Sequence, residues 1–396
     1  MITKDPAGSR NGDGLFLSPA RRWIKSSLAG AAYYSGLLDC YIQLRDRCPS
    51  QNRLFILGYH AVVENVPRSV GRGMMAPQLI SSKVFEKEIE QIGSQFDFLS
   101  IDQAVDFIER KINLRRDSVV ITFDDGYQGV YEHAYPILKK KGIPAAVYLC
   151  SDYVGTSWLF DHDRLFYLVR KMRLAGLSLR SILSETGLDL EMPPEDDPPL
   201  AATRFLLEKL SSGRLERLID LLQEKLGVAG EDFPTEAKIL SWEAAKEMSE
   251  SGVTLGSHTA SHRLLSEAEP REILEELRLS KSRLEDRLGK KVDHLAYPDG
   301  RYTPFVIDAA RACGYRSACT TQDFINKVGC NPYLLGRQLF WENSNWGWRS
   351  RSSKAMVASQ VKGLFKIPDR IQELPLPAAS PERSELPQNT GFLGTL

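Results

Sequence analysis

The chain has 396 residues, of which 51 are Lys or Arg and 51 are Asp or Glu, so its formal net charge is zero. A balanced charge argues against a nucleic-acid-binding protein, which needs a basic surface, and it permits an uncharged partner such as a glycan. Hydrophobic residues make up 42% of the chain, which excludes a largely disordered protein. This length allows two or three average domains, or one α/β barrel with extensions.

The amino-terminal part predicts a mobile segment and then a helix, which together span residues 1–50. It lacks the basic region and apolar core of a signal peptide, and the apolar stretch Leu28–Leu38 is too short to cross a bilayer. We therefore expect a cytoplasmic protein. Basic residues and Trp23 beside that stretch are compatible with peripheral membrane contact, and a helix docked on the main domain is the simpler interpretation.

Apolar runs typical of buried parallel strands then alternate with amphipathic helical patterns. Seven strands are predicted, at residues 54–60, 119–123, 144–150, 253–257, 292–298, 315–320 and 334–340. This alternation predicts an α/β fold in which a parallel barrel spans residues 51–348. We expect a helical insertion in the barrel at about residues 158–235, and one more helix followed by a disordered tail at residues 349–396.

None of the six cysteines lies in a Cys-x-x-Cys spacing, so the sequence predicts neither a disulfide framework nor a thiolate metal site. Carboxylates and imidazoles are the candidate ligands instead.

Adjacent carboxylates, Asp124 and Asp125, follow the second predicted strand directly and precede Gly126. Two acids at the end of a buried strand are costly to desolvate unless a cation or a proton is shared there. The simpler interpretation is a turn with a helix N-cap, because Asp and Gly favour both positions.

A pair of histidines, His258 and His262, follows the fourth predicted strand and favours the chemical interpretation. Two histidines four residues apart can direct both imidazoles to one point. Together with one carboxylate they supply three metal ligands and leave positions open for water and substrate.

Other polar residues lie at the ends of further strands. His60 ends the first strand, the turn Pro298-Asp299-Gly300 follows the fifth, and Arg337 lies on the last. Because barrel enzymes carry their active sites at the carboxyl ends of the strands, we expect all these groups to share one face. His162, between two aspartates, is interpreted as part of a loop or of a substrate-side wall.

Three motifs resemble, in order and spacing, those of the polysaccharide deacetylases, also called the NodB-homology group or carbohydrate esterase family four. They are Thr122-Phe-Asp-Asp-Gly126, Ser257-His-Thr-Ala-Ser-His262 and Ala296-Tyr-Pro-Asp-Gly300. Tyr59-His60 resembles the subgroup found with exopolysaccharide biosynthesis. The resemblance covers roughly residues 54–340. It implies a distorted (β/α)7 barrel, a bound divalent metal that is commonly zinc, and hydrolysis of N-acetyl groups on an amino-sugar polymer. The enzyme would then be a hydrolase of non-peptide carbon–nitrogen bonds.

The resemblance also implies a role for each matching residue. Asp124 would be the general base, and the backbone N–H of Asp299 would stabilise the oxyanion. Tyr297 and Pro298, from the same motif, would bind substrate. The metal ligands would be Asp125, His258 and His262.

Two positions depart from the family pattern. Ala296 stands where an Arg usually orients the base, and Arg337 stands where a His usually acts as general acid. We predict that Arg337 reaches across the barrel mouth to pair with Asp124, and that His60 is the general acid.

Two other functions stay open at this point. Loss of the usual Arg and His is compatible with a catalytically silent glycan-binding or assembly protein. Two histidines and one carboxylate also form the metal site of non-haem iron oxygenases, although those sites usually pair a closely spaced His and Asp in an all-β barrel. The choice between N-acetyl and O-acetyl groups, the polymer and the oligomeric state are left open.

Overall fold

The structure, a computed structural model, describes residues 19–46, 53–185, 199–322, 325–342 and 353–364. Its strands are β1 (Leu54–Tyr59), β2 (Ala61–Val63), β3 (Leu79–Ser81), β4 (Asp97–Phe98), β5 (Ser118–Phe123), β6 (Ala145–Leu149), β7 (Thr254–Ser257), β8 (His294–Ala296), β9 (Ser317–Cys319) and β10 (Gln338–Leu339).

Its α-helices are α1 (Pro19–Tyr34), α2 (Leu37–Asp46), α3 (Val66–Arg72), α4 (Ser82–Gly93), α5 (Ile101–Ile108), α6 (Tyr135–Lys141), α7 (Asp161–Leu174), α8 (Leu179–Glu185), α9 (Pro199–Lys209), α10 (Ser212–Leu226), α11 (Trp242–Glu250), α12 (Pro270–Leu288), α13 (Pro304–Ala312) and α14 (Lys354–Val361). A π-helix at Val130–Ala134 precedes α6.

Seven strands form one curled parallel sheet in the order β10-β1-β5-β6-β7-β8-β9, and β4 pairs with β5 beside this path. These are the seven predicted strands, and the predicted α/β barrel is confirmed. The short strands β2, β3 and β4 lie outside the predicted set, and β2 pairs with β3 in a small sheet of its own.

The two ends of the sheet meet through one segment of chain. Leu335 forms a parallel bridge with Cys319, the last residue of β9. Three residues later, Gln338 pairs with Leu57 of β1. Between them, Arg337 lies where the barrel closes, so the closing segment and a predicted site residue are the same piece of chain.

Register in the sheet brings the site residues to one level. β1 and β5 are buried along their whole length and run parallel. Their pairing extends from Leu54 opposite Ser118 to Tyr59 opposite Phe123. The N–H of Asp124 continues the ladder by donating to the carbonyl of Tyr59 at 2.9 Å. As a result, His60 and Asp124 leave the sheet side by side.

The helical insertion predicted at residues 158–235 is present as α7 to α10. Its apolar side chains form a cluster apart from the barrel core, built on residues such as Leu168, Leu206 and Ile219. The insertion therefore carries a small core of its own.

The single helix predicted within residues 1–50 is instead a pair of helices, α1 and α2. They separate at Gly36, whose positive φ of 76° is a backbone conformation that favours glycine. Much of the predicted mobile segment and of the carboxyl-terminal tail lies outside the described residues. Across the described ranges, the helices are too short or too polar to span a bilayer.

Candidate active site

Unusual backbone conformations mark the loops that follow β5, β7 and β8. Five described non-glycine residues have positive φ, and four belong to these loops: Asp125 (69°), Thr259 (68°), His262 (62°) and Asp299 (53°). Such conformations are uncommon outside glycine, and they cluster at functional sites. The Asp125 and His262 conformations fix the direction of two predicted metal ligands.

The three predicted metal ligands lie together. The Oδ1 atom of Asp125 is 3.4 Å from Nε2 of His258 and 3.3 Å from Nε2 of His262. One ligand atom from each side chain lies within 4.8 Å of the others. A distant aspartate and two neighbouring imidazoles thus converge on one point, as the sequence predicted.

Two observations indicate that this cluster fits a divalent cation. Asp125 Oδ1 is buried and accepts no hydrogen bond from the described residues, a costly state for a carboxylate oxygen unless a cation binds it. The Nδ1 atom of His258 lies 2.7 Å from the carbonyl of Ala296, which fixes the proton on Nδ1 and leaves the Nε2 lone pair for a metal. Two imidazole nitrogens and one carboxylate oxygen suit zinc and several other divalent metals.

Charge and burial act in opposite directions on the pKa of each group in this cluster. Burial alone would raise the pKa of the Asp125 carboxyl, but the nearby imidazoles of His258 and His262 bring that pKa well below its ordinary value. Burial would lower the pKa of His258, and Asp125 together with Asp124 outweighs it and raises that pKa. Asp125 therefore stays ionised, as a metal ligand must be.

Asp124 binds Arg337 through two parallel hydrogen bonds. Nη1 donates to Oδ1 and Nη2 donates to Oδ2, each at 2.7 Å, and both side chains are buried. Burial would raise the pKa of Asp124, but the charge of Arg337 and the nearby His258 lower it below its ordinary value. The contact predicted between these residues is present, and it keeps Asp124 ionised.

Arg337 is held from several directions. Its Nε donates to the carbonyl of Thr320 at 3.0 Å, and its guanidinium lies 5.6 Å from the centre of the Tyr148 ring. Burial would lower the pKa of Arg337, and the charge of Asp124 raises it above its ordinary value. The guanidinium therefore stays charged in the barrel interior.

Ala296, on β8, is fully buried against a second apolar layer that includes Tyr148 and Cys319. In this cluster the hydroxyl of Tyr148 and the thiol of Cys319 are 3.2 Å apart. The guanidinium that pairs with Asp124 is that of Arg337, on the segment that closes the barrel, and no cationic side chain is available at position 296 on β8.

His60 lies at the same mouth of the barrel, half-buried. Its imidazole is close enough to contribute to the lowered pKa values of both Asp124 and Asp125. Its role as general acid stays a prediction.

The turn after β8 holds the remaining predicted residues. Asp299 has an exposed carboxylate that pairs with Arg301 at 2.7 Å. Tyr297 is fully buried and its hydroxyl donates to the carbonyl of Tyr333 at 3.1 Å, and Pro298 is buried as well. The structure gives Tyr297 and Pro298 a packing role in this turn, and their direct contact with a substrate stays a prediction.

Three residues of the site were missed by the sequence reasoning as a group. The Tyr127 hydroxyl donates to Oδ2 of Asp163 at 2.8 Å and lies 3.1 Å from Nε2 of His162. The His162 ring stacks on Phe160 with 5.2 Å between centroids, and its centroid is 5.4 Å from that of the predicted metal ligand His262. The insertion therefore supplies part of the wall of the candidate metal site. His162 lies on the first turn of α7 and not on a loop, and its place on the substrate side stays a prediction.

Burial dominates the electrostatics of this group. It lowers the pKa of His162 to about 3, so the imidazole is neutral. It raises the pKa of Asp163 to about 7, against the opposing hydrogen bond from Tyr127. Asp163 Oδ1 is buried and has no hydrogen-bond partner among the described residues. The only sequence feature that could have identified the group is the Asp161-His162-Asp163 run at the first turn of α7.

Residues 111–181 and 200–318 match the family model described as polysaccharide deacetylase. The chain belongs to the polysaccharide deacetylase family. YxkH of Bacillus subtilis, named as a polysaccharide deacetylase, is 22% identical over 286 residues, which cover 72% of this chain and 70% of that protein. The predicted enzyme class, a hydrolase of non-peptide carbon–nitrogen bonds, is that of this family.

Two further relatives are informative. The poly-beta-1,6-N-acetyl-D-glucosamine N-deacetylase of Staphylococcus aureus is 36% identical over 87 residues, which are 22% of this chain and 30% of that protein. The solved structure of IcaB from Ammonifex degensii superposes with a TM-score of 0.52 at 22% identity, covering 79% of this chain and 98% of that one. The second likeness shows that the two proteins share the fold.

Proposed function

We propose that this protein is a metal-dependent deacetylase that hydrolyses N-acetyl groups on an amino-sugar polysaccharide or oligosaccharide. One observation carries the proposal: an ionised, buried Asp125 oxygen without a hydrogen-bond partner faces two imidazole nitrogens, beside a second ionised carboxylate. N-acetyl groups are favoured over O-acetyl groups because the S. aureus relative is named for N-deacetylation of poly-N-acetylglucosamine.

The metal, for which zinc is the first choice, would bind Asp125, His258 and His262. When bound, it would polarise the acetyl carbonyl and lower the pKa of a coordinated water. Three protein ligands would leave coordination positions for water and substrate.

Asp124 is the general base of the proposed reaction. It is ionised, it does not belong to the ligand set, and Arg337 holds both its oxygens in a fixed plane. It accepts the proton of the attacking water while the new carbon–oxygen bond forms at the acetyl carbon. The backbone N–H of Asp299 donates to the oxygen that gains charge.

His60 is the proposed general acid. It donates a proton to the sugar nitrogen as the carbon–nitrogen bond breaks, which yields acetate and a free amine. Its position beside Asp124 at the end of β1 supports this role.

The first experiment is metal analysis of the purified chain, followed by measurement of acetate release from N-acetylglucosamine oligomers. We expect about one zinc or similar ion per chain and acetate release that a chelator abolishes. The Asp125→Asn variant should lose both, whereas Asp117→Asn, at the opposite end of β5, should keep both.

Other outcomes would favour the alternative functions. Bound iron with oxygen consumption would favour an oxygenase. Bound metal with glycan binding but without acetate release would favour the silent glycan-binding protein.

A further inference from the structure

A cleft of about 450 Å³ lies beside the loop that follows β6. Two tryptophans line it, Trp158 from this loop and Trp242 from the first turn of α11. Trp158 is 63% exposed, which is unusual for so large an apolar side chain. Ligand-binding sites are typically concave and lined by aromatic and apolar side chains, so this cleft is a candidate binding site.

The polar lining of this cleft is balanced in charge. Asp152 pairs with Arg283 of α12, and the Arg287 guanidinium lies over the Trp242 ring at 5.6 Å from its centre. Asp286 also lines the cleft, so two carboxylates face two guanidinium groups. This balance favours a neutral ligand over a phosphate or an anionic polymer.

The loop geometry fixes both tryptophans. The backbone N–H of Trp158 donates to the Thr156 hydroxyl at 3.1 Å. Gly155 has a φ of 73°, and a Cβ atom there would lie 2.5 Å from Cδ1 of Trp242, so the Trp242 indole packs closely against the loop. The Trp242 side chain and the backbone of Trp158 are therefore positioned before any ligand binds.

The cleft is connected to the metal ligands. The N–H of Ser151 donates to the carbonyl of Thr259 at 3.3 Å and the N–H of Asp152 donates to that of Ala260 at 3.0 Å. Both carbonyls lie between the two ligand histidines.

A row of aromatic rings makes the same connection. Phe160 is 5.1 Å from His262, Tyr153 is 4.3 Å from Phe160, and Trp158 is 6.4 Å from Tyr153, measured between ring centroids. Phe160 is buried, so this row packs beneath the surface, and a few linked sugar units lying above it would extend from the barrel mouth to Trp158.

We propose that this cleft is a second glycan subsite, which binds an N-acetylated sugar unit of the same polymer some units away from the one that is deacetylated. A pyranose ring has an apolar C–H face that can stack on an indole. The hydroxyls at its rim can form hydrogen bonds with carboxylates and guanidinium groups. Trp158 supplies the stacking surface, and the Asp and Arg side chains supply the polar partners. The proposal rests on the proposed function, because its ligand is the N-acetylated polymer that the proposed reaction uses as substrate.

The test compares substrates of two lengths with the metal-loaded full chain. The substrates are the dimer and the hexamer of β-1,6-linked N-acetylglucosamine, and the variant is Trp158→Ala. We expect KM for the hexamer to rise about five- to tenfold, with KM for the dimer and kcat for 4-nitrophenyl acetate within twofold of wild type. Trp23→Ala, which removes a 51% exposed tryptophan from α1, is the matched control and should change none of these values.

Equal effects on dimer and hexamer, or no effect on the hexamer, would overturn the subsite. Calorimetric titration with the hexamer separates this failure from failure of the proposed function. If wild type binds the hexamer without releasing acetate and Trp158→Ala weakens that binding, the subsite stands although the deacetylase does not. If wild type does not bind the hexamer, the subsite proposal is wrong.

Discussion

Arg337 and Asp124 form a two-bond fork inside the barrel, although 213 positions separate them in the chain. Breaking a buried ion pair by removing one partner typically destabilises a protein by about 3–5 kcal/mol. Arg337 has the largest part in keeping this carboxylate ionised, because burial alone would raise the pKa of Asp124 and His258 adds a smaller opposing effect. Stability and base strength are therefore coupled at this pair.

Replacing Arg337 by Met should lower kcat about 100-fold, because the base loses its fixed orientation. The acid limb of the kcat/KM profile should move to higher pH, since the Asp124 pKa rises when its cation is removed. The Arg337→Lys variant should keep the acid limb closer to wild type but recover little of kcat, because an ammonium does not bind both oxygens in plane.

The matched control is Arg53→Met. Arg53 forms a similar fork with Asp117 at the other ends of the same two strands, β1 and β5. The Arg53→Met variant should lose some stability and keep the kcat of the wild type. An Arg337→Met profile with an unmoved acid limb would contradict the proposed coupling.

His60 should be needed for turnover but not for metal binding. In His60→Gln we expect kcat to fall about 100- to 1000-fold, with metal content unchanged and the basic limb of the pH profile absent. His133→Gln, on the π-helix away from the site, is the control. Near-normal turnover by metal-loaded His60→Gln would remove the residue from the mechanism.

Metal binding should stabilise the fold as well as supply chemistry. Because the ligands come from the ends of β5 and β7, a metal at 100 times its Kd should raise the free energy of unfolding by about 2.7 kcal/mol. Chelated protein should show a lower Tm, which zinc restores. The Asp125→Asn variant should show neither change, and a Tm that is independent of metal in wild type would argue against the site.

Asp163 predicts a specific pH dependence of stability in metal-free protein. Its pKa is about 7 in the folded chain, because of burial, against an ordinary value of 3.8. Between these values the folded state binds more protons than the unfolded state, so stability falls as pH rises toward 7. From pH 5 to pH 8 the wild type should lose about 2–3 kcal/mol relative to Asp163→Asn.

The control for this measurement is Asp161→Asn, at the start of the same helix but with an exposed carboxylate. Its unfolding free energy should follow the wild-type pH dependence. If Asp163→Asn also follows it, the buried carboxyl is not protonated near neutral pH.

The sequence predicted the barrel and the convergence of the three proposed metal ligands because both depend on short local patterns. Apolar runs identify each strand, and residues directly after a strand, such as Asp125 and His258, must emerge at one face. Arg337 could be assigned to Asp124 because the usual Arg is absent at Ala296 and a buried base needs a cation.

Contacts that depend on the insertion could not be predicted in this way. The Tyr127–Asp163 hydrogen bond joins the barrel to α7, and its geometry follows from how the insertion docks, which no periodicity encodes. The π-helix at Val130–Ala134 was missed for a different reason. Pro136 has no N–H to give to a regular α-helical ladder, but its position alone does not say whether the helix ends or widens there.

Closure of the barrel by the segment that carries Arg337 has a consequence for biosynthesis. The proposed metal ligands at residues 125, 258 and 262 leave the ribosome before residue 337, so they are synthesised before the guanidinium that pairs with Asp124. Pairing of β10 with β1 would then close the barrel and bring the guanidinium of Arg337 to the Asp124 carboxylate in the same step. Hydrolysis would thereby be withheld until the barrel is complete.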